Sequence, residues 1–236
     1  MRASFAIVTF VVLAACQPEA VAPHVGTAID HGKWLFEHKE ASPAASNAYA
    51  CATCHRATSA KDPAILTGAP LAGVAQRPTF WGGNSPALLD AINLCRFWFM
   101  DAQQPWLAQD AAAQAMWAYL ASLPADLPQA QTLTVVMTIA DVAQGNASKG
   151  AAVYAKACQT CHGAIHSGLG RMPAAPELPH MFVADHAKYT PLQRRLTCIE
   201  KVRHGPFLGY GGKMPPFGTQ VLTDSELADI LALLGL

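Results

Sequence analysis

Two short strings carry the chemistry of this chain. Cys51-Ala52-Thr53-Cys54-His55 and Cys158-Gln159-Thr160-Cys161-His162 each set two thiols three positions apart with an imidazole directly after the second. Thiols at that spacing add across the two vinyl groups of a haem, and the adjacent His meets the iron from one face. The competing chemistry is a zinc ribbon, whose two Cys-x-x-Cys pairs stand roughly 15–20 residues apart. Here more than a hundred residues separate the pairs, and each carries its own His. Two covalently attached haem c groups are expected. One rests on Cys51, Cys54 and His55, the other on Cys158, Cys161 and His162.

A six-coordinate electron carrier also needs a ligand on the far side of each iron, and a thioether serves this in cytochromes c. In the first half the one methionine between His55 and the next helix but one is Met100, at the end of a helical pattern. In the second half Gly211-Gly212-Lys213-Met214-Pro215-Pro216-Phe217 resembles the methionine loop of cytochromes c. Its glycines and prolines hold an irregular backbone that lets a sulfur point inward without a helix to carry it. Met172, Met181, His180, His186 and His204 are the rivals. Met172 follows His162 too closely, and a lone His in polar surroundings is usually a surface residue. Pro70 and Pro176 are the expected sources of the backbone carbonyls that orient the two proximal imidazoles.

The elements that must position these residues occur twice. Gly32 is followed by Leu35 and Phe36, and Gly150 by Val153 and Tyr154, so each set lies on one helix face. The second half reaches its motif at once. The first interposes an Ala- and Ser-rich insertion, Ala41 to Tyr49. Pro- and Gly-rich stretches follow each motif and cannot continue a helix. Leu88, Ile92, Cys95 and Phe99, and Leu192, Leu196, Ile199 and Val202, then recur at helical spacing. Each half ends in an amphipathic helix, holding Met116, Trp117 and Leu120 in one and Leu227, Ile230, Leu231 and Leu234 in the other. Thr223 to Glu226 reads as a capping box. Between the halves, Thr132 to Ile139 is β-branched and alternating, as a short strand or extended strap would be.

This order resembles the class I cytochrome c fold twice over, across roughly residues 26–236. The resemblance implies a mainly α protein of two tandem cytochrome c-like domains joined by a short extended linker. The expected layout is a signal peptide at 1–15, a tether at 16–25, a first domain at 26–125, a linker at 126–143 and a second domain at 144–236. Leu13-Ala14-Ala15-Cys16 follows a short apolar run and resembles a bacterial lipobox, which implies lipidation of Cys16. The chain is then expected to be exported and lipid-anchored to a bacterial membrane, facing the periplasm or the cell surface.

Composition narrows the partners. The formal net charge is zero, and haem propionates would make the holoprotein acidic, which speaks against nucleic acid. Redox proteins, a donor and an acceptor, are the expected partners, with the membrane reached through the anchor. No Ser/His/Asp arrangement or phosphate loop is visible, so an electron carrier is favoured over an enzyme. Arg194, Arg195, Lys201, Arg203 and Lys213 form a basic run that reads either as a solvated helix face or as a docking rim.

Of seven cysteines, Cys95 and Cys198 are left over once the haem motifs and Cys16 are assigned. Three readings stand: an interdomain disulfide, two buried free thiols, or a Cys95 that reacts or ligates iron. The last draws on Ala91-Ile92-Asn93-Leu94-Cys95, which is similar to an element of the diheme sulfur-oxidation cytochromes and thiosulfate dehydrogenases. That resemblance implies an oxidoreductase of sulfur compounds, with Arg96 helping to bind an anion. A haem subunit of a larger respiratory complex is the remaining alternative.

Overall fold

The computed structural model describes residues 26–59, 64–180, 184–208 and 211–236. The stretches expected to be a signal peptide and a tether, with Cys16, and Met181 lie outside the described residues.

The first module opens with α1 (Ala28–Glu37), whose Thr27 and Asp30 form a reciprocal capping box. One turn, α2 (Cys51–Cys54), carries the first motif; α3 (Leu88–Met100) and α4 (Ala111–Ser122) complete the module. The second module repeats the plan with α5 (Ala147–Ala157), α6 (Gln159–His162), α7 (Pro191–His204) and α8 (Asp224–Leu233). Among the described residues the β pairing is one isolated antiparallel bridge, Phe80 to Ser85. The protein is mainly α, as the sequence predicts.

In each module the first and last helices cross at a glycine. A Cβ on Gly32 would stand 2.0 Å from the Ala115 carbonyl oxygen, and one on Gly150 would stand 2.0 Å from that of Asp229. Only a residue without a side chain lets the backbones approach so closely. Around the first crossing Leu35, Phe36, Met116, Tyr119 and Leu120 are buried together, with the Phe36 and Tyr119 rings 5.4 Å apart. Around the second, Tyr154, Ile199, Leu227, Ile230 and Leu231 form the core. Tyr154 satisfies its hydroxyl on the Gly163 carbonyl at 2.9 Å. The helical spacing read from the sequence errs at two aromatic or aliphatic positions, Trp117 and Leu192, which are exposed.

Thr132 to Ile139 is an extended strap and not a strand, because side chains rather than a second strand satisfy its carbonyls. Gln220 donates to the Thr132 carbonyl at 3.1 Å, and the His204 ring bonds that of Val136 at 2.6 Å. Arg195 ties down the strap's end through Asp141 (2.9 Å), the Val142 carbonyl (2.9 Å) and the Leu236 carbonyl (3.0 Å).

The modules meet at an aromatic box. The Phe207 ring, just after α7, stands edge-on to Trp81, Trp98 and Phe99 of the first module at 5.6, 5.5 and 5.9 Å. Rings offset in this way gain about 0.5–1.5 kcal/mol per pair beyond area burial. Ile65 also donates its N–H to the Lys156 carbonyl at 2.9 Å, one backbone bond across the boundary.

Candidate functional site

Both motifs are folded alike. One helical turn separates the two cysteines of each, and the His backbone N–H closes on the first cysteine's carbonyl at 2.9 Å in both. Fourteen residues further on, a carbonyl takes the ring: His55 Nδ1 bonds Ala69 at 2.8 Å, and His162 Nδ1 bonds Pro176 at 2.8 Å. Pro176 is the predicted carbonyl. In the first module the partner is Ala69 and not Pro70, whose carbonyl instead accepts from Arg77. A carbonyl can only accept, so Nδ1 carries the proton and Nε2 keeps its lone pair for a metal. Burial pushes both imidazoles below their ordinary pKa, which keeps them neutral and able to ligate. A Cβ on Gly68 would fall 2.3 Å from His55 Cε1, so the chain cradles that ring.

A cavity of about 710 Å³ opens over the first motif, lined by Cys51, Cys54, His55, Cys95 and Met100. That is within the roughly 300–1,000 Å³ of cofactor clefts. Pro215 and Phe207 of the second module and Leu133 of the strap close its outer side. Three guanidiniums also line it and rest largely on backbone carbonyls. Arg77 donates to Ala72 (2.8 Å) and Leu127 (3.2 Å), Arg96 to Ala41 (2.9 Å), and Arg56 to Ala64 (2.6 Å). Arg56 Nε is buried with no hydrogen-bond partner. Burial lowers the pKa of Arg77, and that of Arg96 to about 10. An apolar cavity edged by under-neutralised cations, with paired thiols and a neutral imidazole at its base, fits a haem with its propionates. Arg56 directly follows the first motif, which was the sequence signal available for it; Arg77 had none.

The cysteines are not arranged for zinc. Among the described residues no three His, Cys, Asp or Glu side chains gather as a metal site. Burial pushes the thiols of Cys51 and Cys158 up to about 12 and that of Cys54 to about 11, against thiolate ligation. The second motif begins two residues after Lys156, whose carbonyl takes the Ile65 N–H of the first module. Cys54 feels Cys161 electrostatically, and Tyr49, raised to about 12 chiefly by burial, feels both Cys161 and Cys54. Asn47, itself buried, fixes Tyr49 by bonding its N–H (2.9 Å) and its carbonyl (3.0 Å). The insertion in the first module therefore ends in a tyrosine at the cavity wall.

Met100 is the last residue of α3 and is buried at the cavity wall. Met214 is partly buried against the second core, which includes Cys158. The rivals are placed otherwise. Met172 is tied by its N–H to the Cys161 carbonyl at 2.9 Å, on the motif's own side. His204 spends one ring nitrogen on Val136 and faces Glu200 with the other, and His186 faces Arg194 at 3.3 Å.

Two expectations need correction. Cys95 and Cys198 form no disulfide; both are free. They occupy equivalent helices, α3 and α7: Cys95 lines the same cavity as Cys51 and Cys54, and Cys198 packs against the core that holds Cys158. Burial pushes the Cys95 thiol far above its ordinary range, and that of Cys198 to about 12. The basic run is likewise no docking rim. Arg194, Arg195 and Arg203 are buried, and Lys213 pairs with Asp101. Arg96, read as an anion binder, is held by Ala41 and stacks 4.1 Å from the Trp106 ring centre.

The family model for subunit III of cbb3-type cytochrome c oxidase matches residues 145–234. No curated protein matches the chain. Among solved structures, thiosulfate dehydrogenase (TsdBA) from Marichromatium purpuratum, in its as-isolated form, is similar with 19% identity and a TM-score of 0.41. The match covers 88% of this chain but 45% of that one, so the chain spans under half of its length. The C-terminal half is thus a cytochrome c domain, a kind of domain that carries haem c and serves electron transfer.

Proposed function

We propose that the chain is a diheme c-type cytochrome that passes electrons between a donor and an acceptor protein. The domains run over 26–125 and 144–236, with the linker at 126–143. One haem c is bound through Cys51 and Cys54 and ligated by His55 and Met100. The other is bound through Cys158 and Cys161 and ligated by His162 and Met214. The observation that carries this reading is the repetition itself: each module joins a Cys-x-x-Cys-His turn, an imidazole fixed by a carbonyl fourteen residues on, and an inward methionine. Bound there, haem supplies reversible one-electron chemistry. The protein's part is to hold both imidazoles neutral, to exclude water with the two cores, and to set the motifs side by side. The backbone bond from Ile65 to Lys156, two residues before Cys158, joins the modules beside the second motif and supports a relay within one chain. Cys16 would be lipidated and the mature protein anchored to a bacterial membrane.

Mature protein is expected to retain two haem equivalents per chain through acid–acetone extraction, with a mass increase to match. Retention of a single equivalent would remove the diheme reading.

A second reading, an oxidoreductase of sulfur compounds, draws on one observation: Cys95 lines the same cavity as His55 and Met100. Ligand replacement separates the two. Met100→Ala and Met214→Ala should each abolish the sulfur-to-iron charge-transfer band of one ferric haem and lower its potential, while Cys95→Ala leaves both spectra intact. A changed spectrum in Cys95→Ala, together with thiosulfate-dependent reduction of wild-type protein, would favour the enzyme.

A further inference from the structure

Both methionine-bearing segments are held from the opposite module. Asp101 follows Met100 and takes the left-handed conformation, φ 52° and ψ 25°, that ends α3. Asp tolerates that region better than most residues. Ala102 then donates to the Arg96 carbonyl at 3.0 Å, closing the helix end. The Asp101 carboxylate, so presented, accepts from Lys213 Nζ and from Ser46 Oγ. Lys213 precedes Met214, in a segment opened by Gly211 and Gly212 at positive φ and closed by Pro215 and Pro216. On the other flank of Met100, Trp98 and Phe99 pack against Phe207, which stands at the head of the same second-module segment. Residues 98–101 are thus held by Phe207 on one side of Met100 and by Lys213 on the other.

We propose that the Asp101–Lys213 ion pair is an inter-module latch that positions Met100 and Met214 together, so that the state of one methionine segment governs the other. The pair is partly exposed, with side chains 26% and 37% accessible, so its attraction alone is modest. Its effect comes from where it acts. A methionine on a short irregular segment can swing away from an iron unless the backbone on each side of it is fixed. Here one ion pair fixes the backbone beside both sulfurs. Asp101 and Lys213 are positioning residues; neither touches the reacting atoms. The proposal rests on Met100 and Met214 being the sixth ligands.

The test compares holoprotein Asp101→Asn, Lys213→Gln and the double variant. Asn suits the left-handed position, so these changes leave the helix end intact. If the charges acted only through space, removing the anion and removing the cation would shift the haem potentials in opposite directions and additively. The latch requires the same direction from both. Each single variant should lower both potentials and make both sulfur-to-iron bands disappear at a lower temperature, with the double variant no worse than either single one. Amide hydrogen exchange should rise in both 98–102 and 211–217 from either substitution. Opposite and additive shifts, or faster exchange confined to the substituted segment, would overturn the latch. If the wild type shows no sulfur-to-iron bands, the ligand assignment has failed instead, and the exchange data still decide whether the segments are coupled.

Discussion

Replacing Arg203 with methionine will cost the second module on the order of 3–5 kcal/mol and free its methionine segment. Arg203 is 2% exposed, within α7. Its Nη1 donates to the Phe217 carbonyl at 2.9 Å and the Leu222 carbonyl at 2.7 Å, and its Nη2 to Asp224 at 2.6 Å. Those carbonyls bracket the loop that leads from Met214 into α8. Methionine keeps most of the volume but donates nothing, so two buried acceptors lose their partner at about 1–3 kcal/mol each. The exposed side of the pair adds little, since Asp224 is largely solvated and screened. Set against a total stability of about 5–15 kcal/mol, this loss is large. Urea unfolding of holoprotein should show the lowered midpoint, and the ferric spectrum should lose the band assigned to Met214 while keeping that of Met100. A variant with an unchanged midpoint would mean that the loop is held by its prolines alone.

Arg203 also marks where the sequence stopped being legible. The turn of each Cys-x-x-Cys-His string and the Gly/apolar/aromatic pattern of α1 and α5 were readable because each is a local requirement. Two thiols three positions apart share one helical turn, and a helix crossing needs a glycine with its apolar neighbours three and four residues on. The capping box at Thr223 is equally local, and the structure contains it, with Thr223 N–H on Glu226 at 2.8 Å. Buried arginines are not local. Arg195 and Arg203 stand in a run that reads as surface, but irregular segments leave carbonyls without ladder partners, and these guanidiniums are drawn in to satisfy them. Which carbonyl lies near which helix depends on the tertiary fold. The same limit explains Cys95 and Cys198. Equivalent positions in a repeat predict equivalent surroundings, each against its own motif, and nothing in the spacing brings them to the module boundary. Of the two readings of Thr132 to Ile139, strand or extended strap, the structure takes the strap for a related reason. Alternation of β-branched residues indicates an extended chain, but a strand requires a neighbour, and here Gln220 and His204 supply the bonds. Asp101 and Phe207, which join the modules, carry no motif at all.

Gly32→Ala and Gly150→Ala are expected to destabilise their modules clearly, although each adds one methyl group. The added Cβ would lie 2.0 Å from a carbonyl oxygen of the partner helix, Ala115 in one module and Asp229 in the other. That distance is far inside van der Waals contact, and the obstructing atom is helical backbone that cannot rotate away. The helices must part, and the cores they close, Leu35 with Met116 and Tyr154 with Leu231, open with them. Overpacking of this kind costs about 1–3 kcal/mol where side chains can yield, and backbone against backbone belongs at or above the upper end. Helix propensity works in the opposite direction, since Ala is favoured over Gly by about 1 kcal/mol within a helix, so a net loss identifies the crossing as its cause. Every tryptophan of the chain lies between Trp34 and Trp117, so fluorescence follows the first module while the haem bands report on both. Gly32→Ala should lower the fluorescence-monitored urea midpoint, whereas Gly150→Ala should act chiefly on the haem of the second module. Equal stability of either variant and the wild type would show that the helices do not cross at these residues.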